Sequence, residues 1–459
     1  MKKTTRTISG ITPVAVMTEP RGCPGKCVYC PTFSATPQSY TPESPAVLRA
    51  RQFEYSAYRQ VESRLRTLGQ MGHPTDKIEM IVMGGTFSAT PPDYQENFIR
   101  ECFEALNGQP SASLPEAREV NETAAHRCTG LCIETRPDYC SQAEIDRWLD
   151  FGATRVEVGV QTLDDRIYEI VRRGHSVEDV VRATALLRQN GLKVHYHWMP
   201  GLPGSTPEDD LTLSKLLWDD PRFRPDGLKI YPTMVVEGTE LETWYREGRY
   251  QPYDQDVMLD LIARIKGQVP KYVRISRVLR DIPSKFIVGG LRDSMRDPLR
   301  RRMGQMGLTC RCIRCREYGF RLRDRWEMGE PHLTRLEYEA AGGREIFLSF
   351  EDDEESCFAL LRLRIQPEPL PSLRTKSCGR AAIVRELHVF GPELPLKQRG
   401  SPAAQHRGLG RALLREAERI SREEFQRSWI AVLSGVGARE YYRSEGYRSE
   451  GHYVVKKLD

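Results

Sequence analysis

At 459 residues the chain exceeds the usual size of one hydrophobic core, so two or three domains are expected. Lys and Arg outnumber Asp and Glu by 68 to 63, and the resulting +5 neither demands nor excludes a polyanionic partner. Twelve cysteines, several tightly clustered and with no apolar leader ahead of them, argue against a disulfide-stapled secreted protein and for thiolate ligands in a reducing compartment, with the cytoplasm expected. No apolar stretch reaches the roughly 18 to 20 residues that span a bilayer, so no membrane partner is expected.

Extended runs at Pro13 to Met17, Ile78 to Gly84, Gly130 to Thr135, Thr154 to Val160, Lys193 to Met199, Gly227 to Tyr231 and Tyr272 to Arg277 alternate with amphipathic stretches such as Ser141 to Phe151, Val177 to Asn190 and Asp256 to Val269. This alternation predicts an α/β fold of parallel strands with helical crossovers, and so many units in one run favour a full or partial TIM-type barrel over a small doubly wound sheet. Polar residues gather at the C-terminal strand ends: Gly84-Gly85-Thr86, Glu134-Thr135-Arg136, Gln161, His197 and Lys229. Each alone also reads as a strand cap, but together they predict a site, because loops and side chains converge on ligands at that end of such folds.

From Arg292 to Arg325 the chain holds eleven arginines against four acids, together with Cys310, Cys312 and Cys315, and reads as a connector. A third region begins near His332. Strands at Glu345 to Ser349 and Cys357 to Ile365 flank the acidic turn Glu351 to Ser356. A strand at Ala381 to Phe390, a helix at Gly410 to Glu423, a strand at Ser428 to Leu433 and a last strand around His452 to Lys456 complete an α+β unit. The domains are therefore expected at 1–290, 291–330 and 331–459.

Directly after the first strand comes Cys23-Pro24-Gly25-Lys26-Cys27-Val28-Tyr29-Cys30. Three thiolates at this spacing fit one face of a cubane iron–sulfur cluster and leave one iron without a protein ligand, free to chelate the amino and carboxylate groups of a small molecule. Zinc is the alternative reading, although a structural zinc wants four protein ligands and no further Cys or His occurs before His73. Cys310, Cys312 and Cys315 form a second candidate metal site, with zinc expected and His332 as a candidate fourth ligand; three free thiols in a basic loop are the alternative. Cys102, Cys128, Cys132, Cys140, Cys357 and Cys378 read as small core residues.

Near the C-terminus, Gly408 and Gly410 precede and open a helix, so their backbone N–H groups and the helix start point at one place where a pyrophosphate fits. Two glycines at a helix start also occur as a plain turn, and the G-x-G-x-x-G of a dinucleotide site is missing.

The C-x3-C-x2-C spacing, with Tyr29 before its last cysteine, resembles that of the radical S-adenosylmethionine enzymes. That resemblance implies a [4Fe–4S] cluster, S-adenosylmethionine on the open iron and an external electron donor. Gly84-Gly85-Thr86 resembles the turn that receives the cofactor's amino group, with Thr86 standing where many members have an acid. Gln405, Gly408 and Gly410 resemble the acetyl-coenzyme A turn of the Gcn5-related N-acetyltransferases. The strand Glu386-Leu387-His388-Val389 would then lie along the pantetheine arm, and Tyr441 or Tyr442 would approach the thioester.

Both halves together resemble the Elp3 family, the catalytic subunit of Elongator. The resemblance is carried by Val14-Ala15-Val16-Met17, Ile81-Val82-Met83-Gly84-Gly85-Thr86-Phe87, Ile133-Glu134-Thr135-Arg136-Pro137-Asp138-Tyr139-Cys140, Arg173-Gly174-His175, Phe223-Arg224-Pro225-Asp226-Gly227-Leu228-Lys229, Val384-Arg385-Glu386-Leu387-His388-Val389 and Ser434-Gly435-Val436-Gly437. It implies carboxymethylation of the wobble uridine in a tRNA anticodon stem-loop. The acetyl group of acetyl-coenzyme A would be activated by a 5'-deoxyadenosyl radical, with Gly84, Gly85, Glu134, Gln161 and His197 at the barrel mouth. The basic N-terminal extension of many relatives is not in this sequence, so tRNA contacts are expected on the arginine-rich connector together with Lys2, Lys3 and Arg6. Two other functions fit the same motifs: a protein lysine acetyltransferase with a structural cluster, and a catalytically silent tRNA-binding scaffold. The sequence fixes neither the choice of tRNA nor the oligomeric state, a homodimer included.

Overall fold

The computed structural model describes residues 7–291, 295–373, 380–391 and 408–459, which leaves Lys2, Lys3, Arg6, Cys378 and Gln405 outside the described residues. The N-terminal strands are β1 (Thr12–Met17), β2 (Lys77–Met83), β3 (Arg127–Thr135), β4 (Arg155–Gln161), β5 (Lys193–Trp198), β6 (Gly227–Ile230), β7 (Val235–Val236), β8 (Arg274–Val278) and β9 (Ile287–Gly289). Seven of them form one sheet in the order β1-β2-β3-β4-β5-β6-β8, every neighbouring pair parallel, while β7 and β9 make a small antiparallel ribbon. With β1 and β8 at its two edges, the sheet is a partial barrel and not a closed one.

The crossover helices start where the sequence supplies caps. Ser141 accepts from the Glu144 N–H, and Ser176 and Thr206 each form a capping box with an Asp three residues on. Period-two alternation sorts the strands. In β2, Ile78, Met80 and Val82 are fully buried in the apolar core that the helices share. Successive side chains of a strand point to opposite faces, so Glu79, Ile81 and Met83 face the barrel interior. In β4, Val156, Val158 and Val160 take the outer face while Arg155, Glu157, Gly159 and Gln161 look inward.

The second sheet contains β10 (His332–Ala340), β11 (Gly343–Glu351), β12 (Cys357–Ile365), β13 (Ala382–Val389), β14 (Trp429–Val432), β15 (Arg448–Glu450) and β16 (Tyr453–Lys457), in the order β10-β11-β12-β13-β14-β16-β15. Only β13 and β14 pair in parallel, and the helix Leu409–Arg419 buries Leu413, Leu414 and Ala417 against the sheet. Two boundaries differ from expectation. β10 is an edge strand with both faces largely exposed, so it lacks the apolar alternation by which a strand is recognised in sequence. The C-terminal helix ends at Arg419 and continues as a π turn, Ile420–Glu424, instead of running to Glu423. No described helix is long and apolar enough to cross a membrane.

The second sheet is docked on the barrel at the N-terminal ends of its strands. There a set of ionised groups is completely buried. Arg385 on β13 grips Asp226, just ahead of β6, through two bonds of 2.7 and 2.8 Å, and also reaches Glu345 on β11 at 2.8 Å. Arg188, at the end of the helix Val177–Gln189, bonds Glu345 at 2.8 Å and Asp226 at 3.3 Å, and Arg364 on β12 meets Glu345 at 2.9 Å. Arg362 on β12 stands 3.4 Å from Asp226 and donates to the Tyr272 carbonyl at 2.7 Å. Burial alone would push the Asp226 carboxyl up, yet Arg188, Arg385 and Arg362 hold it well below the usual carboxylate range. The loop after β14 comes equally close: a Cβ on Gly435 would lie 2.2 Å from the Thr129 carbonyl oxygen, so only glycine fits.

Asp226→Asn keeps the shape but leaves three arginines facing one carboxylate fewer. It is expected to cost roughly 3–5 kcal/mol, the loss typical of breaking a buried pair, and a thermal-melting midpoint equal to that of the parent protein contradicts this reading.

Candidate active site

The loop after β1 carries Cys23, Cys27 and Cys30 to the C-terminal end of the barrel. Donors aim at all three sulfurs: the Gly25 N–H to Cys23 at 3.4 Å, an Arg173 guanidinium N–H to Cys27 at 3.5 Å and the Gln38 amide to Cys30 at 3.3 Å, while Thr86 Oγ1 stands 3.5 Å from Cys23. Burial, then the neighbouring Cys27, pushes the Cys30 thiol up to about 11, so its thiolate needs a cationic partner. The sulfurs of Cys310, Cys312 and Cys315 lie within 4.8 Å of one another. Arg136 Nη1, Arg173 Nε and Gln161 Oε1 are buried at this mouth without a hydrogen-bond partner, polar atoms of the kind a bound polar cofactor satisfies.

Gly84 and Gly85 follow β2 with φ of 132° and 79°, in the region that favours glycine. At Gly84 space is also decisive, since a Cβ would meet Thr18 Oγ1 at 1.9 Å. Below this turn the inward side chains form an ionised chain. Lys229 on β6 lies 3.0 Å from Glu134 and also contacts Glu157, His197 Nε2 is 3.0 Å from Glu157, and Tyr40 donates to Glu134 at 3.2 Å. Burial would raise the Glu157 carboxyl, but Lys229 first, then the His197 bond and Arg155, hold it well below its ordinary value. The ionised carboxylate only accepts, so His197 carries its proton on Nε2. Glu134, Gln161, His197 and Thr86 are thus brought together as expected. Glu157 was missed in the sequence, although the alternation Arg155-Val156-Glu157-Val158 places it inward.

The other candidate centre lies on the second sheet. β13 and β14 pair only through Ala382 to Val384, with the Leu433 N–H closing the ladder on the Val384 carbonyl; opposite Arg362 and Leu363 a bulge at Arg385 kinks β13, and the two parallel strands part beyond it. Gly408, at φ 79°, caps the helix whose first turn holds Gly410, and the Tyr441 hydroxyl is 3.4 Å from where a Gly410 Cβ would sit. Tyr441 is 39% exposed, whereas Tyr442 is buried against Tyr447, so the two adjacent tyrosines have different surroundings. Burial, then Glu445, pushes the Tyr441 hydroxyl up to about 12, which keeps it a neutral donor. Side chains of β13 face the barrel: Glu386 meets Lys193 at 3.3 Å and Arg362 at 2.7 Å, and His388 Nε2 is 2.7 Å from the Ser9 carbonyl. Leu387 and Val389 are partly buried against the core of the second sheet. One cavity of 830 Å³ reaches from Cys23, Cys27 and Cys30 through the barrel interior to Glu386, His388, Ser434 and Tyr442.

The connector departs from expectation in two ways. His332 is not with the cysteines; its ring is exposed, 3.8 Å from Asp353, and the amine nearest the triplet is that of Lys266, 3.9 Å from Cys315. Several connector arginines are internal and not solvated. Arg316 is buried 2.9 Å from Glu351, and Arg321 is buried against Ser356 at 2.7 Å, because the connector packs under the β11–β12 turn. Arg296, Arg300 and Arg301 do face outward. Cys102, Cys128, Cys140 and Cys357 are buried core thiols, as expected, whereas Cys132, between Gly130 and Glu134 on β3, is buried beside the inward charges Arg155 and Glu157.

Gly84→Ala is expected to displace Thr18 and the turn beside Cys23, weakening S-adenosylmethionine binding while leaving acetyl-coenzyme A binding intact. Calorimetry on the folded variant checks both, and unaltered S-adenosylmethionine affinity contradicts the assignment.

The radical SAM superfamily model matches residues 20–217, and the radical SAM C-terminal domain model matches 225–303. A tRNA uridine(34) acetyltransferase of Dehalococcoides mccartyi (strain CBDB1) is 63% identical over 459 residues, covering 100% of both chains. Another tRNA uridine(34) acetyltransferase, from Methanocaldococcus jannaschii, is 48% identical, covering 100% of this chain and 86% of its own. Among solved structures, the archaeal Methanocaldococcus infernus Elp3 with an N-terminal deletion superposes with a TM-score of 0.87 at 44% identity, covering 98% of this chain and 100% of that one. With the cysteine loop at the mouth of a parallel partial barrel and a mixed sheet of acetyltransferase type docked beneath it, the chain belongs to the Elp3 family.

Proposed function

We propose that this enzyme carboxymethylates C5 of uridine 34 in tRNA, drawing the two added carbons from acetyl-coenzyme A. The observation that carries the reading is the single cavity that joins the three cluster cysteines to β13 and Tyr442. A protein lysine acetyltransferase has no use for such a connection, and the relatives named above are uridine(34) enzymes.

In this reading Cys23, Cys27 and Cys30 hold a [4Fe–4S] cluster, and Gly84, Gly85, Thr86, Glu134 and Gln161 receive S-adenosylmethionine. A cluster held there would supply one-electron cleavage of the sulfonium, and the deoxyadenosyl fragment would take a hydrogen atom from the acetyl methyl group so that this carbon could add to C5. Restoring the uracil would then release the C5 proton to solvent and return one electron to the cluster oxidised in the sulfonium cleavage, and water would cleave the thioester to leave a carboxylate and free coenzyme A.

The chain's own residues orient and shield these events. Glu134, Lys229 and Glu157 form a fixed set of contacts at the mouth, and His197 donates from Nε2 to Glu157. The helix start at Gly408 and Gly410, with Gln405 ahead of it, holds coenzyme A phosphates, and the Tyr441 hydroxyl beside Gly410 places the thioester. Tyr442 shapes the wall. We divide the chain at 1–290, 291–330 and 331–459 and assign a structural zinc to Cys310, Cys312 and Cys315. The outward arginines Arg296, Arg300 and Arg301 provide phosphate contacts to the anticodon stem-loop.

The test is an anaerobic incubation of the reconstituted enzyme with tRNA, S-adenosylmethionine, acetyl-coenzyme A and a reductant, followed by mass analysis of uridine 34. Carboxymethyluridine is expected; unmodified uridine alongside an acetylated lysine peptide contradicts it. Cys27→Ala is expected to abolish cleavage of S-adenosylmethionine and to retain acetyl-coenzyme A binding, and loss of both in folded protein contradicts the allocation of two centres.

A further inference from the structure

The two centres sit at opposite ends of the barrel. The cysteine loop and Glu134 lie at the C-terminal strand ends, whereas β13 and the loop after β14 dock on the N-terminal ends, at Ser9, Thr129 and Lys193. Strands of six or seven residues separate them by roughly 20 Å. Hydrogen abstraction needs contact, so one reactant must cross that distance. A barrel interior is ordinarily filled by layers of branched apolar side chains. Here several inward positions, Glu79, Arg155, Glu157, Lys193 and Lys229 among them, carry charge instead, and they open into one cavity. Arg155 lies against Glu79, Lys193 against Glu386, and Lys229 against Glu134 and Glu157.

We infer that the barrel lumen is the passage for the acyl-pantetheine arm, which enters at the N-terminal rim from the coenzyme A turn and delivers the acetyl group to the cysteine end. The inference rests on the acetyl-coenzyme A reading above and adds the route. The pantetheine arm is a thin chain whose two amides can exchange hydrogen bonds with these polar side chains along the way. Gly130 on β3 lines the cavity without a side chain. A Cβ there meets nothing closer than Thr154 Oγ1 at 3.5 Å and Glu79 Cγ at 3.7 Å, so a side chain can start from this position without moving the backbone. In register, Gly130 is level with Glu79 and Pro13, two residues nearer the N-terminal rim than Ala15, which also faces the lumen.

The experiment uses the Ala15→Cys protein with its cluster reconstituted and bromoacetyl-coenzyme A as the probe. The introduced thiol displaces bromide from the probe's methylene carbon and releases a proton, and peptide mass mapping locates the adduct. Cys102 and Cys140, buried in the core outside the lumen, serve as internal controls. The passage predicts a coenzyme A adduct at position 15 that is competed by acetyl-coenzyme A, and loss of that adduct when Gly130→Leu is added. Bromoacetamide, small enough to enter from the open mouth, still labels position 15 in both proteins. A probe that competes with acetyl-coenzyme A yet leaves position 15 unmodified, or that labels it equally with Gly130→Leu present, overturns the route while leaving the coenzyme A site standing. A probe that does not compete at all overturns the coenzyme A site and the route with it.

Discussion

The buried grip of Arg385 on Asp226 and Glu345 is the interaction on which the rest of the structure depends. It joins β13 to the chain entering β6, the strand that carries Lys229 into the barrel. Buried ion pairs are weak evidence for net stability, because desolvation offsets much of the attraction, but they are demanding about geometry. Four arginines around Asp226 and Glu345 accept only one arrangement of the second sheet against the barrel. The Asp226 charge persists through neutral and mildly acidic pH: its pKa is depressed by the fold, so the contribution is complete above the unfolded carboxylate range and fades only as pH falls through the lower folded value. A neutral-pH enzyme therefore keeps its two halves in fixed register.

That register gives the partial barrel an unusual role. Helices close its outer face in the ordinary way, through Ile78, Met80, Val82, Val156 and Val158. Its inner face carries charge, and its N-terminal end is covered by the acetyl-binding sheet. Chemistry at the C-terminal mouth and an acyl donor at the opposite rim then share one enclosed space, where water is limited and ion pairs are strong.

Much of this was legible in the sequence, and the reasons differ by element. All seven barrel strands were visible because outward Val, Ile and Met alternate with inward residues, and Cys23, Cys27 and Cys30 announced themselves by spacing alone. The strand-end polar residues were recognised from position, since a parallel sheet gathers its ligands there. Glu157, Arg155 and Glu79 escaped notice because an acid or base in mid-strand reads as a solvent-facing residue until the curvature of the sheet makes that face interior. β10 was invisible for the complementary reason, most of its side chains, Leu333 and Leu336 included, being exposed. Arg316 and Arg321 looked like a nucleic-acid surface, for composition cannot tell a solvated arginine from one whose acid partner, Glu351 in the case of Arg316, lies far along the chain. Which of Tyr441 and Tyr442 stands by the glycine turn depends on a rotation about one short helix, and only coordinates resolve it.

The central claim is that one reaction uses both centres, the acetyl methyl group giving a hydrogen atom to the deoxyadenosyl fragment made at Cys23, Cys27 and Cys30. Supplying acetyl-coenzyme A deuterated on its methyl group and weighing the 5'-deoxyadenosine formed during turnover with tRNA tests it directly. Deuterium in the 5'-deoxyadenosine is predicted; modified tRNA accompanied by unlabelled 5'-deoxyadenosine would contradict the account.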